Sequence, residues 1–228
     1  MTTISVSDAV QRRRSVRAFL PQPVSGSLLR KILHLAGRAP SGGNVQPWRL
    51  YLVSGEDLLT FKSLMAERLR IHPQPDPEQY PIYPQPLEEP YRSQRYRVGE
   101  MLHQSMDIAR DDKGGRARSL ARNFVFFDAP VGLFCYVDKR MGSAQWSDIG
   151  MYLQTLMLLL EEQGLSSCTQ EAWSLYHRLV RQFVGAPDHS MLFCGMSIGY
   201  ADPDATVNHL NTERMDLDDF TTLRGFID

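Results

Sequence analysis

The chain has 228 residues, 43% of them hydrophobic, and a formal net charge of −1. That length can bury a full core in a single domain, and the near-neutral balance argues against a general polyanion binder, which needs a broad positive field. The longest apolar stretch, residues 153–160, is interrupted by Gln154 and Thr155 and is too short to cross a bilayer, so no membrane segment is expected.

Met1-Thr2-Thr3-Ile4-Ser5-Val6-Ser7-Asp8 lacks the basic start and apolar core of a secretory leader, which makes a cytoplasmic address the expectation. Ser7 or Asp8 is a candidate cap for a first helix carrying Val10 on its inner side and ending near an arginine cluster. Pro21 and Pro23 then stop helix, and Ser25 can cap a second one. In that helix Leu28, Leu29, Ile32, Leu33 and Ala36 make one apolar stripe that ends at Gly37. Residues 48–53 alternate as a strand whose first residue, Trp48, suits a core position, and Ser54 with Asp57 has the spacing of a capping arrangement for a helix to about Leu69.

Between His72 and Pro90 prolines are interleaved with Tyr80, Tyr83 and acidic residues, a density that forbids regular helix and sheet. An ordered flap, its tyrosines lining a pocket or wrapping a partner, fits this aromatic content better than a disordered linker. Two charged helices should follow over residues 91–110 and 115–122, with Val98, Met101, Leu102, Met106 and Ile108 on the covered side. Residues 130–137 form an apolar run of strand length, as a strand covered on both faces requires.

Residues 145–163 are the most apolar helix, expected to be buried nearly all round and to end at Gly164. Residues 165–169 and 191–198 are two further strands, separated by a helix with Leu175, Leu179, Val180 and Phe183. The polar tail beyond Tyr200 carries Arg214 and finishes with Phe226 and Ile227, apolar residues suited to docking on the sheet edge of another subunit, with a frayed end as the alternative. Cys135, Cys168 and Cys194 are odd in number and widely separated, and read as buried reduced thiols. The six histidines have no metal-ligand spacing, and no HExxH, GxSxG, GxGxxG or P-loop pattern occurs.

Two stretches carry the chemistry. Arg12-Arg13-Arg14-Ser15-Val16-Arg17 sets guanidinium groups and a hydroxyl close together, a donor set suited to a phosphate monoester and to the polar edge of a planar ring. A solvated helix end or a nucleic-acid contact would have the same composition. Pro40-Ser41-Gly42-Gly43-Asn44-Val45-Gln46-Pro47-Trp48 combines glycines able to take positive φ with two amides, and is also common loop chemistry.

Taken in order, Arg13-Arg14-Ser15-Val16-Arg17-Ala18-Phe19, Pro40 to Trp48, Cys168-Thr169-Gln170-Glu171-Ala172, Gly199-Tyr200-Ala201-Asp202-Pro203 and Thr212-Glu213-Arg214 resemble the FMN-dependent nitroreductases, in particular the group acting on nitroaromatic acids and dinitroanilines. The resemblance spans nearly the whole chain. It implies an α+β fold with a central, mostly antiparallel sheet flanked by helices and a domain-swapped C-terminal tail, in one domain with the proline-rich insertion at about 72–90.

It also implies a homodimer with FMN at the interface and NAD(P)H as reductant. Arg13 and Ser15, joined by Arg214, would hold the phosphate with Arg14 beside them, and Arg17 would reach the pyrimidine edge of the flavin. Pro40, Ser41, Gly42, Asn44 and Gln46 would contact that flavin from the opposite subunit. Gln170, Glu171 and Ala172 would form the turn whose backbone N–H points at the hydride-accepting nitrogen. The family pattern there is Pro-x-Glu-Gly, so Ala172 replaces a glycine, and Thr212 stands where a lysine is frequent. With the flavin carrying the chemistry, no catalytic side chain is implied. The expected activity is ping-pong reduction of nitroaromatic or related electron-poor compounds. Quinone reduction, reductive dehalogenation and a noncatalytic FMN-binding module are the alternatives.

Overall fold

The computed structural model describes residues 4–226; Ile227 at the tail's tip and the first three residues lie outside them. Four strands, β1 (Arg49–Ser54), β2 (Val131–Asp138), β3 (Ser166–Gln170) and β4 (Ser190–Gly199), form one sheet in the order β1-β2-β4-β3 with every pairing antiparallel. In register, Leu52 faces Leu133, Leu133 faces Met196 and Cys168 faces Ser197.

The apolar run of β2 is explained by its place inside the sheet. Side chains alternate between faces along a strand, so Leu133, Cys135 and Val137 join one hydrophobic cluster while Phe134 and Tyr136 join the other. On the first face lie α2 (Gly26–Ala36) and α6 (Ser143–Glu162), through Leu29, Ile32, Ala36, Ile149, Leu153 and Leu156. On the second lie α3 (Gly55–Ile71) and α7 (His177–Val184), through Phe61, Met65 and Val180, together with Trp173.

Several local expectations change. Helix α1 (Val6–Arg12) is capped by Ser5, whose hydroxyl accepts from Asp8 N at 3.1 Å while the Asp8 carboxylate accepts from Ser5 N. The cap precedes Ser7, which turns Ala9 inward and leaves Val10 exposed. Ser25 does cap α2, accepting from Leu28 N at 3.4 Å. Ser54 precedes α3 but makes no capping bond, because the chain enters that helix through Gly55 at a left-handed φ of 55°.

Helix α6 is buried along one side only, with Met151 39% exposed on the other, and it ends before Gly164 at φ 72°. The helices α4 (Tyr91–Gln104) and α5 (Lys113–Ala121) contain no buried apolar side chain: Val98 is exposed, and Met101 and Leu102 are half-buried, so their expected covered side is largely uncovered in one chain. The tail carries α8 (Leu217–Phe220) and exposes Leu217, Phe220, Leu223 and Phe226.

Residues 72–90 contain no helix or strand, and their first half is strapped to the same chain. The Asp76 carboxylate pairs with Arg68 at 3.2 Å and accepts from Arg178 N at 2.9 Å, and Tyr176 donates its hydroxyl to Pro73 O at 2.7 Å. Tyr80 packs between Trp146 and Phe193 and donates to Phe193 O. Beyond it, Tyr83 is exposed beneath the guanidinium of Arg95, 4.2 Å from the ring centroid.

Candidate functional site

Leaving α1, the arginine stretch runs extended along the outer edge of β3, with Ser15 bridged to Ser167 and Val16 N donating to Ser167 O at 3.1 Å. An extended chain presents alternate residues on one side. Val16 and Phe19 are buried as anchors, Arg13, Ser15 and Arg17 are half-buried, and Arg12 and Arg14 are exposed. Arg14 donates Nη1 to Asn208 O at 3.2 Å. Among the described residues neither Arg13 nor Arg17 pairs with a carboxylate within ion-pair distance.

Arg13, Ser15 and Arg17 converge on β3. Burial pushes the Cys168 thiol up, and Arg17, Ser15 and Arg13 all act against that rise. The stretch is clamped by Asn208, a buried residue that sequence reasoning missed. Its Oδ1 accepts from Arg17 N at 2.8 Å and Ala18 N at 3.2 Å, and its Nδ2 donates to Ala18 O at 2.8 Å and Asp202 O at 2.9 Å. No local pattern signals an asparagine whose partners are about 190 positions away in sequence.

At the end of β3, Gln170 is buried and its side chain is fully engaged inside the fold. A 3-10 turn, Glu171–Tyr176, follows. Ala172 lies inside that right-handed turn, so the position does not require a glycine. Turns of this kind leave their first N–H groups without partners in the turn itself. The Glu171 carboxyl is accessible, yet the surrounding chain displaces water and raises its pKa, against the pull of Arg95.

The loop at 40–46 sits elsewhere. Gly43, Asn44 and Gln46 have φ of 57°, 55° and 48°, whereas Gly42 is not left-handed. Gln46 N donates to Ser41 Oγ at 3.0 Å, and Gly42 N donates to Oδ1 of Asp148 on α6 at 3.2 Å. Pro40, Gly42, Asn44 and Gln46 are exposed and Ser41 is half-buried. Pro47 is buried, and Trp48 stacks on Tyr152 with centroids 4.7 Å apart, the core role its size suggested. Asp148 is itself buried, and its other oxygen has no partner among the described residues.

Helix α6 measures the gap between the two stretches. Arg13, Arg14 and Arg12 bear on Glu161 near its end, whereas the loop is tied to Asp148 near its start. At 1.5 Å per residue the two points are separated by about 20 Å. Arg214 belongs to neither group. Its Nη1 donates to Thr212 Oγ1 at 2.6 Å and Glu213 O at 2.8 Å, and it borders a cleft of about 530 Å³ with Arg97, Val98 and Met101 of α4. No hydrogen bond among the described residues joins it to Arg13 or Ser15.

The same chain is similar to characterised proteins over almost its whole length. A nitrobenzene nitroreductase of Ectopseudomonas oleovorans is 39% identical over 97% of this chain and 97% of its own. A 4-nitrobenzoate reductase of Pseudomonas putida is 38% identical over 95% and 94%. The crystal structure of the FMN and NADPH-dependent nitroreductase NfnB from Sphigopyxis sp. strain HMH superposes with a TM-score of 0.93 at 46% identity, covering 98% of this chain and all of that one. The pattern of the nitroreductase family matches residues 10–200, and with these relatives it shows that the chain belongs to that family.

Proposed function

We propose that the protein is an FMN-dependent oxidoreductase that takes hydride from NAD(P)H and reduces nitroaromatic or related electron-poor compounds in a ping-pong cycle. In this proposal it works as a cytoplasmic homodimer of single nitroreductase domains, each with the insertion at 72–90. The observation that carries the proposal is the half-buried file Arg13, Ser15 and Arg17, without a carboxylate partner and running along β3 toward the turn that begins at Glu171.

That donor set fits a flavin mononucleotide. Two cations without a carboxylate partner among the described residues, one of them (Arg17) donating Nη1 to Ser15 O at 3.2 Å, and a hydroxyl match an anionic ligand, each charged contact being worth about 1.5 to 3 kcal/mol. Arg13 and Ser15 hold the phosphate and Arg14 stays at the rim; Arg214, which stands apart from them beside α4 in the single chain, would join them by a shift of the tail. Arg17 lies further along, toward the ring, where a fixed cation favours negative charge arriving with hydride. The backbone of Gln170, Glu171 and Ala172 supplies a donor at the ring, and the exposed side of Pro40, Ser41, Gly42, Asn44 and Gln46 closes the site from the second copy. When bound, FMN supplies the redox chemistry, accepting hydride from the nicotinamide and passing it on. The chain's own work is to orient, to exclude water and to place charge.

Support for a second copy comes from the roughly 20 Å along α6 that separates the loop from the phosphate-end arginines Arg13 and Arg14. The tail's exposed Leu217, Phe220, Leu223 and Phe226 and the outer edge of β1, which among the described residues pairs only with β2, are what an exchanged tail would cover. Purified protein should be a yellow dimer with about one flavin per chain, bleached anaerobically by NADPH or NADH. Flavin that binds and is reduced by neither would leave a binding module instead. A steady-state comparison of nitrobenzoates, quinones and halophenols then separates nitroreduction from other flavin chemistry.

A further inference from the structure

We infer that Gln170 is a positioning residue that aims the backbone N–H groups of Glu171 and Ala172; the inference rests on the proposal that this turn faces the flavin. Gln170 is 2% exposed, and it is the residue from which the turn departs. Its Oε1 accepts from Ser197 Oγ at 2.7 Å and from Trp173 Nε1 at 3.3 Å. Its Nε2 donates to Asn123 O at 2.8 Å and to Asn123 Oδ1 at 3.2 Å. A carboxamide has two N–H groups and two acceptor directions, and here all are taken.

The partners come from three directions. Ser197 is on β4, Trp173 is inside the turn, and Asn123 is on the segment Arg122–Asp128. That segment carries Phe126, Phe127 and Asp128 in succession at φ of 55°, 52° and 67°. Such conformations are sparsely populated for residues other than glycine and persist only where the surroundings over-determine them. Here the surroundings are visible: Phe126 packs on Trp173 with centroids 4.6 Å apart, and its ring fills the space over Gly132, where a Cβ would come within 2.5 Å. The Trp173 indole likewise occupies the space over Gly195.

The neighbourhood of Gln170 is aromatic, with Phe124, Phe126, Phe134 and Trp173 packed together. An apolar side chain would fill that volume. A fully satisfied amide adds direction instead, since buried polar networks specify one arrangement where apolar packing tolerates several. Gln170 therefore ties the start of the turn to β4 and to the left-handed segment, and the N–H groups that follow inherit a fixed aim. A dipole held in place where charge develops contributes most when it need not reorganise.

The test compares the FMN-loaded parent with Gln170→Leu, and with the double variant Asn123→Ala/Ser197→Ala in case the first is not recovered folded. Three quantities are read: FMN affinity, the midpoint potential of the bound flavin and the rate of its reduction by NADPH. FMN affinity should stay within about threefold, because Arg13 and Ser15 are untouched. The rate should fall about tenfold and the potential by about 30 mV, the two-electron equivalent of a factor of ten. The double variant should move both in the same direction by a smaller amount. A folded variant with parental potential and rate overturns the inference and leaves the proposed function standing. A parent that binds no flavin, or whose flavin NAD(P)H does not reduce, overturns both.

Discussion

Asn208→Ala is the sharpest test of how the arginine file is held. The substitution removes four hydrogen bonds of 2.8 to 3.2 Å at a site that is 5% exposed. Arg17 N and Ala18 N lose the acceptor they share, and the carbonyls of Ala18 and Asp202 lose a donor, although Ala18 O keeps Asp202 N at 3.0 Å. A stranded buried group costs about 1 to 3 kcal/mol, and water entering the vacated space recovers part of it, so a net loss of about 3 kcal/mol is reasonable. For a chain of this size that lowers Tm by about 6 to 12 °C. The file is also released from its clamp, and FMN affinity should drop by about tenfold or more as the two cations lose their spacing. Fluorescence-quenching titration with FMN and a thermal melt on the same preparations give both numbers. A variant with the predicted loss of stability and parental FMN affinity would refute the positioning argument, leaving Asn208 a purely structural residue.

Arg13→Ala should weaken FMN binding by about tenfold to a hundredfold, the equivalent of one charged hydrogen bond, while exposed Arg12→Ala should leave it within about twofold; equal effects in titration would show that only bulk charge matters. Gly195→Ala puts a methyl group into the Trp173 indole and should destabilise by about 1 to 3 kcal/mol, measured by denaturant unfolding, with Gly132→Ala doing the same against Phe126. Burial raises the Glu161 carboxyl above its ordinary 4.5, opposed by Arg13, Arg14 and Arg12. The fold thus holds that proton more tightly than the unfolded chain does. Stability is full below 4.5 and declines as pH rises through the higher folded value. Glu161→Gln should therefore gain stability over the parent at pH 7 relative to pH 4, and melts showing an equal difference at both values would contradict the assignment.

The parts that sequence made legible are those where one residue type has one physical use at a short, repeated spacing. β2 could be read because a strand covered on both faces must be apolar at successive positions, and α2 because Ser25, the stripe from Leu28 to Ala36 and Gly37 mark its start, face and end. The α1 cap was misplaced because Ser5, Ser7 and Asp8 are all competent, and only the reciprocal bond between Ser5 and Asp8 selects one of them. For α6, and for α4, which ends at Gln104 short of the expected Arg110 and leaves Met106 and Ile108 outside it, the covering was misread, since periodicity reports that a face is apolar and says nothing of which chain covers it.

The site divides in the same way. Arg13, Ser15 and Arg17 were singled out by the family resemblance, since the run from Arg12 to Arg17 by itself also suits a solvated helix end or a nucleic-acid contact, whereas the groups that clamp the stretch are ordinary amides. Asn208 is joined to Arg17 and Gln170 to Asn123 by bonds between residues far apart in sequence, and neither asparagine nor glutamine announces its partner. The left-handed run at Phe126, Phe127 and Asp128 was equally silent, because its cause lies in the hollows over Gly132 and Gly195 that receive Phe126 and Trp173 rather than in a local turn signal. Residues set out for a ligand keep their chemistry at the surface in short runs, where a family resemblance can pick them out. The residues that hold them in place succeed by being buried and satisfied, and for that reason they become visible only when the partners are seen together.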